Sequence, residues 1–195
     1  MSQTAKLQAR GQPINIETKR FTARSLTARD ASGALRMWIS NSTVMAALNM
    51  PARRFSQVDL ERFIASYDDK IRYLAGVFIR GSSEIIGVFM LDVTPAHGLL
   101  KASGFIGDRN WRGKMVFEEV ATGLFEEFFK KRGIEKVTAQ VWEKNFAALV
   151  PLRRLGFQVE GFLRKEIRAF DGSGRRSQFI LGLLATDWKP FENDK

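Results

Sequence analysis

The clearest periodic pattern in the chain lies between residues 114 and 132, where apolar side chains recur every three or four positions. Such spacing places the apolar side chains on one face of a helix. Glu118 and Glu119 near the start, and the basic residues at 130–132, complement the helix dipole. Gly133 is a typical stop. The pattern therefore predicts a long amphipathic helix over 114–132.

Shorter apolar runs, bounded by glycine, proline and polar turn residues, predict the other elements. In chain order they are a strand near 21–26, helices at 27–40 and 56–69, strands at 71–80, 85–93 and 99–107, the long helix, a strand at 134–142, a short helix at 145–155, and strands at 157–170 and 177–184. The segment 41–55 is predicted to connect the two early helices. Pro151 is expected to kink or shorten the short helix.

The order β-α-α-β-β-β-α-β-α-β-β predicts one mixed α/β domain with a mostly antiparallel sheet. Three successive strands with short turns favour an antiparallel meander. A crossover through the long helix predicts that strands 99–107 and 134–142 are parallel. We expect this domain to span residues 18–190, after a flexible basic arm at residues 1–17.

Composition narrows the possible chemistry. The 195 residues include no cysteine, which excludes disulfides and thiolate chemistry, and the single histidine, His97, argues against a histidine zinc site. No apolar run approaches the roughly 20 residues of a membrane span, and the N-terminus lacks the apolar core of a signal peptide. We therefore expect a cytoplasmic protein with no metal and no membrane partner.

The formal net charge of +10 favours anionic partners, such as nucleic acid, the ribosome, an acidic substrate or a phosphorylated cofactor. It argues against a polyamine acceptor. The charge also contributes to solubility, so it does not decide among these partners.

A basic turn containing a glycine separates the strand at 99–107 from the long helix. The first turn of a helix presents unpaired backbone N–H groups and the positive end of its dipole to an anion. Gly113 permits close approach to the backbone, while Arg112 and Lys114 add positive charge. The turn predicts a phosphate or pyrophosphate cradle; the alternative is an ordinary basic turn.

Three segments within residues 19–188 together resemble the GNAT superfamily of N-acetyltransferases. They are Asn110-Trp-Arg-Gly-Lys-Met115, the run from Asn145 to Leu-Gly-Phe157, and Glu160-Gly-Phe-Leu-Arg164 with Asp171-Gly172 and Trp188. The third segment is similar to the RimJ/RimL subgroup, which acetylates protein N-termini. The resemblance implies direct acetyl transfer from acetyl-CoA to a primary amine, either a protein N-terminus or a small amine.

The resemblance also implies where acetyl-CoA binds. The end of the strand at 99–107 splays from its parallel neighbour and pairs with the pantetheine arm, the helix start holds the pyrophosphate, and an asparagine contacts the pantetheine from the other side. The cofactor-binding residues expected on this basis are Phe105, Ile106, Gly107, Trp111, Arg112, Gly113, Lys114, Met115, Val116 and Asn145.

The chain departs from the family pattern at four positions. Asn110 replaces the usual Arg or Gln, and Met115 replaces Gly or Ala. Gln140 stands where some members have a glutamate base, and Leu152 where many have a tyrosine acid. Glutamine does not titrate and leucine carries no transferable proton, so neither replacement supports proton transfer.

Four other residues are candidate catalytic groups: Asp92 near a strand end, His97 in a loop, Asp108 beside the cradle and Glu143 just before Asn145. Two alternative functions stay open, namely a non-catalytic CoA-binding regulatory module and a ribosome- or nucleic-acid-binding protein. The expected partners are acetyl-CoA and an amine acceptor, including a ribosomal or other protein substrate. By analogy with the family, the protein is expected to be a monomer or homodimer.

Overall fold

The protein is built on one eight-stranded sheet, as seen in a computed structural model that describes residues 11–191. The strands are β1 Asn15–Glu17, β2 Phe21–Ser25, β3 Arg72–Ile79, β4 Ile85–Thr94, β5 Leu99–Ile106, β6 Lys136–Trp142, β7 Gln158–Arg168 and β8 Arg175–Leu184. The helices are α1 Gly33–Ser40, α2 Ser42–Ala47, α3 Gln57–Ala65, α4 Val116–Lys131 and α5 Phe146–Arg154. None of the helices within residues 11–191 is both long enough and apolar enough to cross a bilayer.

The strands lie in the order β1-β2-β3-β4-β5-β6-β8-β7. The β5–β6 pair is parallel, because α4 carries the chain back over the sheet between them, and the other neighbouring pairs are antiparallel. The predicted fold class, a single α/β domain with a mixed and mostly antiparallel sheet, is confirmed.

Side chains on the two faces of the sheet enter two separate cores. Successive side chains of β4 point to opposite faces of the sheet, so Phe89 lies in the core that contains α4 and α5, and Val88 lies in the core that contains α1 and α3. Leu124 and Phe128 of α4 are fully buried in the first core, in line with the helical period that predicted this helix. The sheet is therefore covered by helices on both faces.

Two segments differ from the sequence prediction. Residues 11–17 belong to the folded domain rather than to an arm, since β1 pairs with β2 and Ile14 is buried; the first ten residues of the predicted arm lie outside the described range. The segment 41–55, predicted to be a connection, contains α2. The Asn41 side chain caps α2 by accepting hydrogen bonds from the Thr43 and Val44 amides, at 3.0 and 3.1 Å.

The other elements confirm the prediction, with ends shifted by a few residues. The predicted helix at 27–40 is divided into a 3-10 turn at Ala28–Asp30 and helix α1. Helix α5 runs through Pro151 and retains nine residues.

The central parallel pair separates after a short paired section. β5 and β6 pair only at Leu99↔Lys136, Leu100↔Val137 and Lys101↔Thr138. Beyond Lys101, β5 continues to pair with β4 on its other side, and β6 continues to pair with β8. The predicted splayed pair is therefore present, and a V-shaped gap opens inside the sheet.

Candidate active site

A cleft of about 580 Å³ opens where β5 and β6 separate. Its walls are the separated ends of these two strands, the first turn of α4, helix α5 and, across the opening, helix α2 with the two residues that follow it. Gln178 of β8 completes the lining. Segments that are distant in sequence therefore meet around the gap in the sheet.

The turn between β5 and α4 is closed by its own side chains. Asp108 accepts a hydrogen bond from the Asn110 amide at 2.8 Å. The Arg112 guanidinium donates to the carbonyls of Ile106 and Gly107, with both distances 3.0 Å. These bonds hold the end of β5 against the start of the helix, and Arg112 lines the cleft beside them.

The first turn of α4 presents free donors. Its first backbone hydrogen bond runs from the Glu119 amide to the Met115 carbonyl, at 3.1 Å. Among residues 11–191, no group accepts a hydrogen bond from the backbone N–H groups of residues 113–118. Gly113 has a φ of +72° and open space where a side chain would stand. This geometry suits an anion, which the free amides and the helix dipole would stabilise.

Met115 adopts the left-handed conformation at the helix start, with a φ of 55°. This conformation costs an ordinary residue roughly 1–2 kcal/mol. It gives a physical reason why the family pattern, which has Gly or Ala at this position, includes glycine. The Met115 side chain also lines the cleft, so it narrows the cradle without removing its amides.

A carboxylate on the outer side of α4 fixes the cradle to the N-terminal hairpin. Glu119 accepts hydrogen bonds from the Thr18 hydroxyl at 2.7 Å, and from the Arg20 amide and Nε at 2.8 and 2.7 Å. Arg20 also donates to the Lys114 carbonyl at 2.9 Å. Burial opposes ionisation of Glu119, but these hydrogen bonds outweigh it and hold its pKa below the ordinary value.

Glu118 is the carboxylate that lines the cleft within the described residues, and it is almost completely buried. Its Oε1 lies 3.1 Å from Nη1 of Arg154 on α5. This ion pair joins α4 to α5 across the wall of the cleft. Because Arg154 neutralises Glu118 and Arg112 stands nearby, the charged lining carries a net positive charge, which suits a phosphate-bearing ligand.

The far wall is held by two side chains that bind the C-terminal end of α2. Asn145 Nδ2 donates to the Ala47 carbonyl at 3.1 Å, and Arg176 Nη1 donates to the Ala46 carbonyl at 3.3 Å. The Arg176 guanidinium lies 4.0 Å from the centre of the Trp142 ring, and the Trp142 side chain lines the cleft. These contacts position α2 over the gap between the strands.

Eight of the ten predicted cofactor-binding residues line the cleft. They are Phe105, Ile106, Trp111, Arg112, Gly113, Met115, Val116 and Asn145. Gly107 does not, because it is buried under the Trp38 indole, which an added Cβ would overlap. Lys114 does not either: its side chain is exposed, and its ammonium lies 5.3 Å from the centre of the Trp111 ring.

Asp92 and His97 lie outside the cleft, near the end of β5 that is still paired with β6. Asp92 stands opposite Lys101 in the sheet and 3.7 Å from Nε of Arg72, and it is exposed. His97 is exposed in a 3-10 turn that connects β4 to β5. The register of β4 turns the Asp92 side chain to solvent, and His97 lies in the turn before β5, away from the place where β5 and β6 separate.

Asp108 and Glu143 are close to the cleft in sequence, but neither lines it. The Asp108 carboxylate is occupied as the cap of the turn before α4. Glu143 follows β6, and its backbone N–H donates to the Ser177 carbonyl at 3.1 Å. The structure thus brings none of the four predicted catalytic groups into the cleft.

Beyond the charged residues Arg112, Glu118 and Arg154, the polar side chains of the cleft lining are neutral. They include Thr43, Asn49, Ser103 and Gln178, together with Gln140, whose Oε1 accepts a hydrogen bond from Lys101 Nζ at 3.3 Å. Thr43 and Asn49 were missed because α2 was missed, although Asn41 is a recognisable helix cap. Within residues 11–191, no group of three His, Asp or Glu side chains is arranged to hold a metal ion.

Known proteins that resemble the chain have the same fold. The ribosomal-protein-S5-alanine acetyltransferase of Vibrio fischeri superposes with a TM-score of 0.76 and 17% identity, over 91% of this chain and 100% of that chain. The spermidine N-acetyltransferase of Vibrio cholerae, solved in complex with CoA and spermine, superposes with a TM-score of 0.76 and 19% identity, over 86% of this chain and 96% of that chain.

Sequence comparison identifies the family. The uncharacterised N-acetyltransferase YoaA of Bacillus subtilis (strain 168) is 27% identical over 154 residues, which span 77% of this chain and 86% of that protein. A family model described as an acetyltransferase (GNAT) domain matches residues 23–172. The chain therefore belongs to the GNAT family of N-acetyltransferases, as its motifs predicted.

Proposed function

We propose that the protein transfers an acetyl group from acetyl-CoA to a primary amine inside this cleft. The observation that carries the proposal is the three-residue pairing of β5 with β6, next to the free amides of residues 113–118. An unpaired strand edge suits the amides of a pantetheine arm, and the free amides suit a pyrophosphate. The fold family and the positive lining support the same assignment.

The proposed roles follow from position. Gly113 and Val116 at the cradle would hold the pyrophosphate, Phe105 and Ile106 would hold the pantetheine arm through their backbone, and Asn145 supports the opposite wall. Acetyl-CoA supplies an acetyl thioester whose carbonyl carbon is open to attack by a neutral amine. Backbone N–H groups along the β5 edge are suitable donors to the carbonyl oxygen as negative charge develops there.

Proton transfer in this cleft has to proceed through water. The only cleft-lining carboxylate of residues 11–191 is Glu118, and it is bound to Arg154. The neutral amides of Asn49, Gln140 and Gln178 can orient water molecules, although they cannot accept a proton themselves. An amine at its ordinary pKa is mostly protonated at neutral pH, so we expect the rate to rise with pH up to the amine pKa.

Acetyl-CoA binding is tested with a pair of glycine variants. Gly113→Ala and Gly133→Ala both place a methyl group at positive φ, +72° and +67°, with open space around it. Both variants should lose comparable stability, but only Gly113→Ala introduces a methyl group into the cradle. Isothermal titration should give about a tenfold weaker Kd for Gly113→Ala, equivalent to about 1.4 kcal/mol, and no change for Gly133→Ala. Equal affinities in the two variants would refute the cradle.

A non-catalytic CoA-binding module is the second candidate, and it is favoured by Gln140 and Leu152 at the positions where the family often has its base and acid. A thiol-release assay over peptide N-termini, small amines and amino sugars separates the two. Turnover of any amine excludes the regulatory module. Binding of acetyl-CoA without turnover of any amine would exclude the enzyme. The similarity of the tail to the RimJ/RimL subgroup makes peptide N-termini the first acceptors to test.

A further inference from the structure

A second cavity, of about 140 Å³, lies on the opposite face of the sheet from α4, between helices α1–α3 and strands β3–β5. Most of its lining is aliphatic, thioether or aromatic, and the principal wall residues are Ile39, Met45, Leu48, Phe63, Met90 and Phe105. Arg53 is its one charged lining residue among those described. The cavity is therefore suited to an apolar group.

The cavity adjoins the cleft. Leu48 and Phe105 line both of them. The Phe105 ring belongs to the core under α1, where it packs edge-on against Trp38 with a centroid distance of 6.2 Å. The Phe105 backbone belongs to the part of β5 that has separated from β6. A ligand at the β5 edge therefore has the apolar cavity immediately beside it, on the side of α2.

We propose that this cavity receives an apolar side chain carried next to the acceptor amine, an inference that rests on the acetyl-transfer function proposed above. The acceptor class is a primary amine with one adjacent aliphatic, thioether or benzene-sized substituent, as at a peptide N-terminus that begins with leucine, methionine or phenylalanine. The volume is appropriate, because a cavity of about 150 Å³ lined by Leu, Ile and Phe is known to take up benzene.

The charges around the two spaces disfavour a polyamine. A second ammonium group would lose its hydration on entering and would need a carboxylate partner. Glu118, the carboxylate of the described cleft lining, is already paired with Arg154, and the described lining of the cavity contributes Arg53 and no carboxylate. An acceptor with a single amino group and an apolar neighbour matches both surfaces.

The acceptor class is tested by thiol-release kinetics on peptides that differ only in their first residue. Leucine, methionine and phenylalanine peptides should exceed glycine and aspartate peptides by about 10- to 100-fold in kcat/KM, which corresponds to burial of one apolar side chain. Spermidine should react no faster than the glycine peptide. Equal kcat/KM across the peptides, or preference for spermidine, would overturn this inference while leaving acetyl transfer intact. Absence of turnover with every amine would overturn the proposed function and this inference together.

A matched pair of variants on α1 locates the effect. Ile39→Phe fills the cavity, whereas Met37→Phe changes a side chain that is 61% exposed. Ile39→Phe should lower kcat/KM for the leucine peptide about tenfold and leave the glycine peptide unchanged, and Met37→Phe should change neither. Thermal melting verifies folding, and Met90→Phe, from the opposite wall, provides a second filling variant. A folded filling variant that slows both peptides equally would contradict the assignment.

Discussion

Replacing Glu119 with glutamine should destabilise the protein by about 2 kcal/mol at neutral pH. The amide retains the size of the side chain and one oxygen for the Thr18 hydroxyl and the Arg20 amide, but it places an NH₂ group against Arg20 Nε. A hydrogen bond to a charged group contributes about 1.5–3 kcal/mol. The Arg20 and Glu119 side chains are 32% and 14% exposed, so solvent screening favours the lower half of this range.

The sign of the pH dependence follows from the pKa of Glu119. Hydrogen bonds hold this pKa below its ordinary value, so the carboxylate stabilises the folded state above the unfolded pKa of about 4.3. This contribution is lost as the pH falls through the lower pKa of the folded state. The difference in unfolding free energy between the wild type and Glu119→Gln should therefore be largest at neutral pH. It should shrink on acidification, because protonated glutamic acid resembles glutamine.

Urea unfolding at neutral pH and again at about pH 3.5 measures both quantities. Glu126→Gln is the control on the same helix, because Glu126 is 47% exposed and, among residues 11–191, pairs only with Lys130, at 2.7 Å. This variant should lose no more than about 0.5 kcal/mol. The reasoning fails if Glu119→Gln unfolds at the wild-type urea concentration at neutral pH, or if its deficit is the same at both pH values.

Two further variants probe the packing at the end of β5 and at the C-terminal end of α4. Gly107→Ala should lose about 1–3 kcal/mol, measured by thermal melting, because its Cβ would overlap the Trp38 indole; an unchanged Tm would show that the end of β5 shifts freely. Arg132→Ala should lose about 3 kcal/mol in urea unfolding, because the nearly buried Glu127 carboxylate is left with only an exposed lysine partner; a loss below about 1 kcal/mol would contradict this.

The parts of the fold that the sequence predicted are those with strong local signals. The apolar period of α4 and the turns that bound strands β3–β5 are local patterns of neighbouring residues. The parallel arrangement of β5 and β6 follows from the crossover through α4. Helix α2 has only six residues, too few to establish a period, so the sequence predicts a connection there. β1 has three residues, and its structure depends on pairing with β2 rather than on its own sequence.

The candidate site also contains some features with a local sequence signal and others that depend on long-range geometry. The free amides of residues 113–118 were predictable because the strand, turn and helix start are contiguous, and Gly113 marks the turn. Proton-transfer groups depend on long-range geometry instead. Whether Asp92 faces the cleft is decided by its register opposite Lys101, and Asp108 is occupied by a local hydrogen bond to Asn110. The sequence contains neither the register across strands nor the location of Glu118 beside Arg154.

The short pairing of β5 with β6 has a mechanical consequence. It divides the sheet into two parts, β1–β5 and β6–β8–β7, whose backbones pair at three positions within residues 11–191. Side-chain contacts such as the Glu118–Arg154 ion pair and the Asn145–Ala47 hydrogen bond also connect the elements on the two sides of the gap. At about 3.3 Å per residue, Ile106 lies roughly 16 Å beyond the last of these pairs of residues in the sheet, so a rotation of about 5° between the two parts would move the mouth by about 1.4 Å. No ladder bond within either part needs to break. A small change in the pairing of Leu99–Lys101 with Lys136–Thr138 would therefore change the width of the cleft at Ile106, although these residues lie far from it.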